Sequence, residues 1–72
     1  MNVYKIIPNG NYVLGVALVA AYDEEQAINT FINSGEYQEF EYEEYNCDCA
    51  LIHNLEYKSE KPKMLFDYIT EL

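Results

Sequence analysis

Cys47, Cys49 and His53 are the residues whose side chains could bind a soft metal ion or act in nucleophilic catalysis. A structural zinc site needs four such ligands, whereas the chain holds two cysteines and one histidine. A nucleophilic cysteine needs a cation or a base that stabilises its thiolate, but Asp48 lies between these two cysteines. The sequence therefore predicts no metal site, no cofactor site and no catalytic residue, and it favours a protein without enzymatic activity.

The overall charge restricts the classes of partner. The chain has 72 residues, with 13 Asp and Glu against four Lys and Arg, and a net charge of −9. Nucleic acids and anionic membrane surfaces repel such a chain, so we expect it to bind neither directly. Half of the residues are hydrophobic, which is too many for a disordered acidic tail. This length predicts a single domain over residues 1–72 with one small core.

The start of the chain and its apolar runs predict the compartment. The first residues, Met1 to Lys5, lack the charged-then-apolar pattern of a signal peptide. The longest apolar run, Tyr12 to Tyr22, has 11 residues, whereas a membrane-spanning helix needs about 20. We therefore expect a cytoplasmic protein whose cysteines are reduced thiols.

The negative charge is concentrated between Glu36 and Asp48, a segment called the acidic stretch below. It holds six of the 13 carboxylates and no lysine. A field of one sign attracts cationic partners, and tyrosines add apolar contact area with a polar tip. We expect this stretch to bind a basic protein, and one mode of such binding is the imitation of nucleic-acid phosphates. The simpler alternative is that the acidity only keeps the protein in solution. The candidate partner-binding residues are Glu36, Tyr37, Glu39, Glu41, Tyr42, Glu43, Glu44, Tyr45 and Asp48.

Two strands are predicted before the first helix. Val3 to Ile7 is rich in β-branched residues, which are typical of strands. Tyr12 to Ala21 is a continuous apolar run, which predicts a strand at the centre of the sheet. Gly15 within it indicates a bulge or close packing by a helix.

The turn between these strands predicts their register. Pro8-Asn9-Gly10 fits a three-residue hairpin loop with a left-handed glycine. This loop would place Ile7 opposite Asn11 and Lys5 opposite Val13.

A helix is predicted from about Glu24 to Ser34. Asp23 and Gln26 form a pattern similar to a capping box, and Gly35 suits the position just after a helix. A helix of this length is not stable alone, so its apolar side must lie on the sheet. That apolar side consists of Ala27, Ile28, Phe31 and Ile32.

The second half of the chain leaves an alternative open. The acidic stretch fits a bent strand leading into Cys49 to Ile52, with turn and strand end from Asn54 to Lys61. Residues 62–72 fit either a helix or a strand. The helix has its apolar side formed by Met64, Leu65, Tyr68, Ile69 and Leu72. The strand has Met64, Phe66 and Tyr68 on one face, and it pairs Lys63–Ile69 with Ala50–Tyr57 through a hairpin loop at Lys58–Pro62.

The chain resembles small acidic proteins of unknown function from bacterial phages and mobile elements. The resemblance rests on Ala-Tyr-Asp-Glu-Glu-Gln-Ala at Ala21–Ala27 and on Asn-Leu-Glu-Tyr at Asn54–Tyr57, before a proline and a final strand. It implies a ββαββ arrangement rather than ββαβα, and it assigns no catalytic residue. We thus predict an α+β domain with a mostly antiparallel sheet and one helix on one face.

Two functions follow as expectations. The first is a non-enzymatic protein–protein interaction module from a mobile element, acting through the acidic stretch on a basic partner. The second is a structural or accessory homo-oligomer, because the strand edges of so small a sheet invite pairing with a second copy.

Overall fold

The computed structural model describes residues 1–8, 13–34 and 47–71. They form the strands β1 (Asn2–Pro8) and β2 (Val13–Ala21), the helix α1 (Glu24–Ile32), and the strands β3 (Cys47–Glu56) and β4 (Lys63–Glu71). The four strands make one antiparallel sheet in the order β3-β1-β2-β4. The predicted α+β class with one helix is confirmed. Residues 9 and 10 of the predicted turn and residues 36–46 of the acidic stretch lie outside the described residues.

The β1–β2 ladder has a different register from the predicted one. Lys5 pairs with Leu18, so its predicted pairing with Val13 is wrong. The predicted pairing of Ile7 with Asn11 involves residue 11, which lies outside the described residues. β2 is nevertheless a central strand, as predicted.

The side chains that face α1 explain this register. Ala17, Val19 and Ala21 lie in the core together with Phe31 of the helix. The predicted register differs by five residues, and it would have turned the other side of β2, with Leu18, towards the helix, because a shift by an odd number of residues exchanges the two faces of a strand. Small side chains under α1 let the helix approach the sheet closely, and the turn sequence carries no information about that packing.

The helix begins where the sequence predicts. The carboxylate of Asp23 accepts a hydrogen bond from the backbone N–H of Gln26 at 2.7 Å, and the Gln26 side chain accepts one from the N–H of Tyr22 at 2.8 Å. The helix ends at Ile32 rather than Ser34, because Asn33 leaves the helical conformation with φ −86° and ψ 0°. Within the described ranges, no helix is long and apolar enough to cross a membrane.

The two edge strands are not partners of each other. β3 pairs with β1, and β4 pairs with β2. The predicted hairpin between Ala50–Tyr57 and Lys63–Ile69 is therefore wrong. Residues 57–62 instead connect opposite edges, a separation of about 14 Å at the usual strand spacing. Residues 63–71 form a strand, so the alternative helix is not found in this part of the chain.

A bulge in β4 decides which side chains share a face. Phe66 pairs with Leu18, but Met64 pairs with Val19, so Leu65 is an extra residue. Met64 packs against the core beside α1, whereas Phe66 belongs to the opposite face. The predicted grouping of Met64 with Phe66 and Tyr68 is therefore wrong for Met64, because one inserted residue reverses the alternation.

A larger bulge interrupts β3. Val3 pairs with Ile52 and Asn2 with Glu56, so residues 53–55 have no partner in β1. Asn54 at its centre has φ 64°, a left-handed conformation that asparagine tolerates better than most residues. β3 thus continues to Glu56, where the sequence predicted turn and strand end from Asn54 onwards.

The core lies between α1 and one face of the sheet. Among its largest side chains, Phe31, Ile6 and Val19 are fully buried. These residues come from the helix and from the two central strands, so α1 is held by its apolar side, as predicted.

Candidate interaction surface

The sheet has one face covered by α1 and a second face, called the open face below. β1 alternates between them: Tyr4 and Ile6 point to the helix, while Lys5 and Ile7 point away. The open face, as far as the structure describes it, includes Val3, Lys5, Ile7, Val16, Leu18, Ala20, Asp48, Ala50, Ile52, Lys63, Phe66 and Tyr68.

The open face is buried at one end and exposed elsewhere: Val3 and its partner Ala20 are buried, whereas other large apolar side chains are exposed. Ile7 is 39% exposed, Phe66 51% and Tyr68 68%. Phe66 and Tyr68 neighbour each other along β4, and their register partners on β2 are Leu18 and Val16. Aromatic side chains of this kind carry much of the binding energy in protein interfaces, so this part of the sheet is suited to contact another macromolecule.

The charges of the described residues are unevenly placed. Asp23, Glu24 and Glu25 gather at the start of α1, where the helix dipole favours negative charge. On the open face, the described strands carry Asp48 and the lysines Lys5 and Lys63. The open face is therefore much less acidic than the chain as a whole.

Asp48 is the one predicted partner-binding residue within the described ranges. It is exposed on β3, at the register position opposite Ile7. Its side chain therefore belongs to the open face, whereas that of Cys47 belongs to the helix side. The other eight candidates, from Glu36 to Tyr45, lie outside the described residues.

The cysteines and the histidine considered as ligands are not brought together. Cys47 and Cys49 pack against the core on the helix side, while His53 is exposed in the β3 bulge. Among the described residues, no group of three potential ligands is suitably placed to hold a metal ion.

Burial makes both cysteines poor nucleophiles. It raises the pKa of the Cys47 thiol, with a smaller contribution from the charge of Asp48. Burial also raises the pKa of Cys49 to about 11, and the negative charge of Glu24 adds to the shift. Both effects favour the neutral thiol, which is the unreactive form.

Slow alkylation of Cys49 is the expected consequence. At pH 8, a pKa near 11 instead of 9.0 lowers the thiolate fraction, and hence the rate with iodoacetamide, about 100-fold. Mass spectrometry of the folded chain, with the chain in urea as control, measures this ratio. Equal rates in both states would contradict the expected burial.

The raised pKa of Cys49 also predicts a dependence of stability on pH. The contribution of this thiol to the free energy of unfolding is present below pH 9 and is lost as the pH rises towards 11.

Sequence patterns alone did not single out Phe66 and Tyr68 as surface residues. Both belong to residues 64–69, which are apolar except for Asp67 and suit a helix as well as a strand. The signal that identifies them is the combination of strand alternation with the bulge at Leu65, and this bulge has no marker such as glycine in the sequence.

The comparisons with known proteins found no match: no protein-family model fits the chain, and no curated protein or solved structure is significantly similar to it.

Proposed function

We propose that the chain is a cytoplasmic, non-enzymatic interaction module that binds a basic protein. The observation that carries the proposal is the open face, where Ile7, Phe66 and Tyr68 are exposed although the opposite face is packed by α1. A surface with this composition is typical of a protein interface.

The charge of the chain specifies the kind of partner. With a net charge of −9, the protein accelerates association with positively charged surfaces and repels polyanions. Asp48, the last residue of the acidic stretch, lies on the face of the sheet that also carries Phe66 and Tyr68. The partner class that we propose is a nucleic-acid-binding protein. The acidic stretch occupies its basic groove in place of nucleic-acid phosphates. We also propose that the chain originates from a phage or another mobile element.

A pull-down with two matched variants tests the proposal. The acidic-stretch variant carries Glu41→Gln, Glu43→Gln and Glu44→Gln, and the control carries Glu25→Gln, Glu56→Gln and Glu60→Gln. Both remove three charges, so general ion-exchange binding falls equally in the two. From nuclease-treated bacterial lysate, we expect the wild type and the control to retain a basic protein that the acidic-stretch variant binds at least 10-fold more weakly.

Salt and DNA provide the second part of this test. The bound protein should be released as the salt concentration rises, because screening weakens attraction between opposite charges. A DNA duplex should also displace it if the acidic stretch occupies a nucleic-acid site. Equal retention by both triple variants would exclude the acidic stretch as the binding surface.

A second candidate function is a structural or accessory homo-oligomer. It is favoured by β4, which forms one edge of the described sheet. An edge strand presents unpaired backbone donors and acceptors to any strand that can align with it.

A further inference from the structure

The accessible part of the open face includes two neighbouring rows of side chains that run across the four strands. The registers place four residues in each row, and all eight side chains are exposed or half-buried. In the row beyond them, Val3 and Ala20 are buried. Together the two accessible rows are called the two-row patch below. The first row is Ala50, Lys5, Leu18 and Phe66, and the second is Asp48, Ile7, Val16 and Tyr68.

The charges of the two-row patch favour a second copy of the chain as its partner. The patch holds one lysine and one carboxylate, Lys5 and Asp48, at diagonal positions of β1 and β3. It is therefore electrically balanced, although the chain carries a net charge of −9. A basic protein finds a single carboxylate here and is repelled by Lys5. A second copy offers an opposite charge to each of these two side chains.

A two-fold axis that lies between two stacked sheets can bring these charges together. Packed sheets lie about 10 Å apart with their strands nearly aligned, a gap that a long lysine side chain can bridge. An axis across the strands, midway between the two rows, sets each row against the other row of the second copy. Lys5 then lies against Ile7 of the second copy, beside its Asp48, and the symmetry repeats this contact. Phe66 meets Tyr68 of the second copy, which forms an aromatic pair.

An axis along the strands gives a less favourable contact. Midway between β1 and β2, such an axis sets Lys5 against Leu18 of the second copy, and it sets β3 of that copy over β4. Asp48 of the second copy then lies two strands away from Lys5. An axis along β1 sets Lys5 against its own copy. In both arrangements a lysine enters the contact without an opposite charge beside it, which is costly.

We propose that the protein forms a two-fold symmetric dimer in which the open faces of two copies stack, with Lys5 of each copy paired to Asp48 of the other. The helices lie on the two outer sides, so the dimer has a helix, two sheets and a helix in four layers. The inference rests on the second candidate function, the homo-oligomer, and it requires no basic partner.

The size of the contact predicts a weak dimer. Phe66 is 51% exposed and Tyr68 68%, so these two rings alone offer roughly 200 Å². The whole patch then offers on the order of 500 Å² per copy, or about 1,000 Å² in total, which is near the lower limit for a specific interface. The copies also repel each other through their net charge of −9. We expect a dissociation constant on the order of 100 μM in about 0.3 M salt.

Sedimentation equilibrium of two charge variants tests the stacking. Lys5→Glu and Asp48→Lys each place like charges together at both symmetric contacts, so each variant alone should raise the dissociation constant at least 10-fold. An equimolar mixture of the two variants should dimerise like the wild type, because each copy then meets opposite charges at both positions. A pair of charges within one chain cannot produce this rescue, so the mixture reports the contact between copies.

Two control variants carry the same changes of net charge on the other side of the sheet. Lys61→Glu matches Lys5→Glu, and Glu25→Lys matches Asp48→Lys. Both control positions line the groove between α1 and residues 61–62. Each control should dimerise within about threefold of the wild type, because only the long-range repulsion changes.

A second measurement needs no variant. In NMR spectra of the wild type, the ring resonances of Phe66 and Tyr68 should shift as the protein is diluted from about 1 mM to about 10 μM. The ring resonances of Tyr22 should stay constant, since Tyr22 is 61% exposed but lies on the connection from β2 to α1. The proposal is overturned by constant Phe66 and Tyr68 resonances, by a wild type that is monomeric at about 1 mM, or by a mixture that does not associate.

The dimer and the basic partner can fail separately. The acidic-stretch variant keeps Lys5 and Asp48 and has a smaller net charge, so it should dimerise at least as well as the wild type while it loses the basic partner. A chain that dimerises but retains no basic protein supports the homo-oligomer alone. A chain that retains a basic protein but stays monomeric supports the first function and overturns the dimer.

Discussion

Replacing Gly15 by alanine is expected to lower the free energy of unfolding by about 3–5 kcal/mol. A Cβ atom at this position would overlap the backbone carbonyl oxygen of Tyr68 and lie 2.6 Å from the Cα of Ile69. Gly15 also has φ 153°, a conformation that is nearly restricted to glycine. β2 and β4 would have to move apart, because backbone atoms cannot rotate away as side chains do.

Urea denaturation measures this effect, with Val16→Ala as the control. Val16 is the next residue on β2 and faces the other side, so its truncation should cost about 1 kcal/mol. Similar losses for Gly15→Ala and Val16→Ala would contradict the close approach of β4 to Gly15.

Ile6 and Ile7 are expected to differ strongly when each is replaced by alanine. Ile6 is fully buried under α1, whereas Ile7 is 39% exposed on the open face. Ile6→Ala should lower the free energy of unfolding by about 3–4 kcal/mol, because it removes buried methyl groups and leaves a cavity. Ile7→Ala should cost about 1 kcal/mol.

Ile6→Ala and Ile7→Ala serve as controls for each other, since both changes remove the same atoms from neighbouring positions of one strand. Thermal unfolding followed by circular dichroism at low protein concentration gives both values. A domain of this size has a total stability of roughly 4–10 kcal/mol, so Ile6→Ala is close to the limit of what the fold tolerates. Equal losses at the two positions would show that α1 does not define the covered face.

Local sequence signals predicted the parts of the fold that depend on local interactions. The start of α1 follows from the bond between Asp23 and Gln26, which are three residues apart. The central position of β2 follows from its continuous apolar run. The end of α1 was placed two residues late, because Asn33 leaves the helix before the glycine that usually marks such ends.

The pairing of distant segments could not be predicted in this way. The sequence favoured a hairpin for β3 and β4 because they are neighbours along the chain, but each is bonded to a strand far from it. The register of β1 and β2 places Ala17 and Ala21 in the same core cluster as Phe31, and this packing is a property of the assembled core.

The candidate surface was predictable only in its composition. The excess of carboxylates and tyrosines is visible in the sequence, and Asp48 is found exposed. The exposure of Phe66 and Tyr68 depends on which face α1 covers and on the bulge at Leu65, and both are decided by tertiary contacts.

The strand order has a consequence for the kinetics of folding. The central strands β1 and β2 are adjacent in sequence, but Val3 pairs with Ile52 and Gly15 with Ile69, so most of the chain separates each edge strand from its partner. Loops of this length must close before the edge contacts form, which slows folding to the millisecond-to-second range typical of nonlocal sheets. During synthesis β1, β2 and α1 emerge first, and the sheet is completed only when β4 leaves the ribosome.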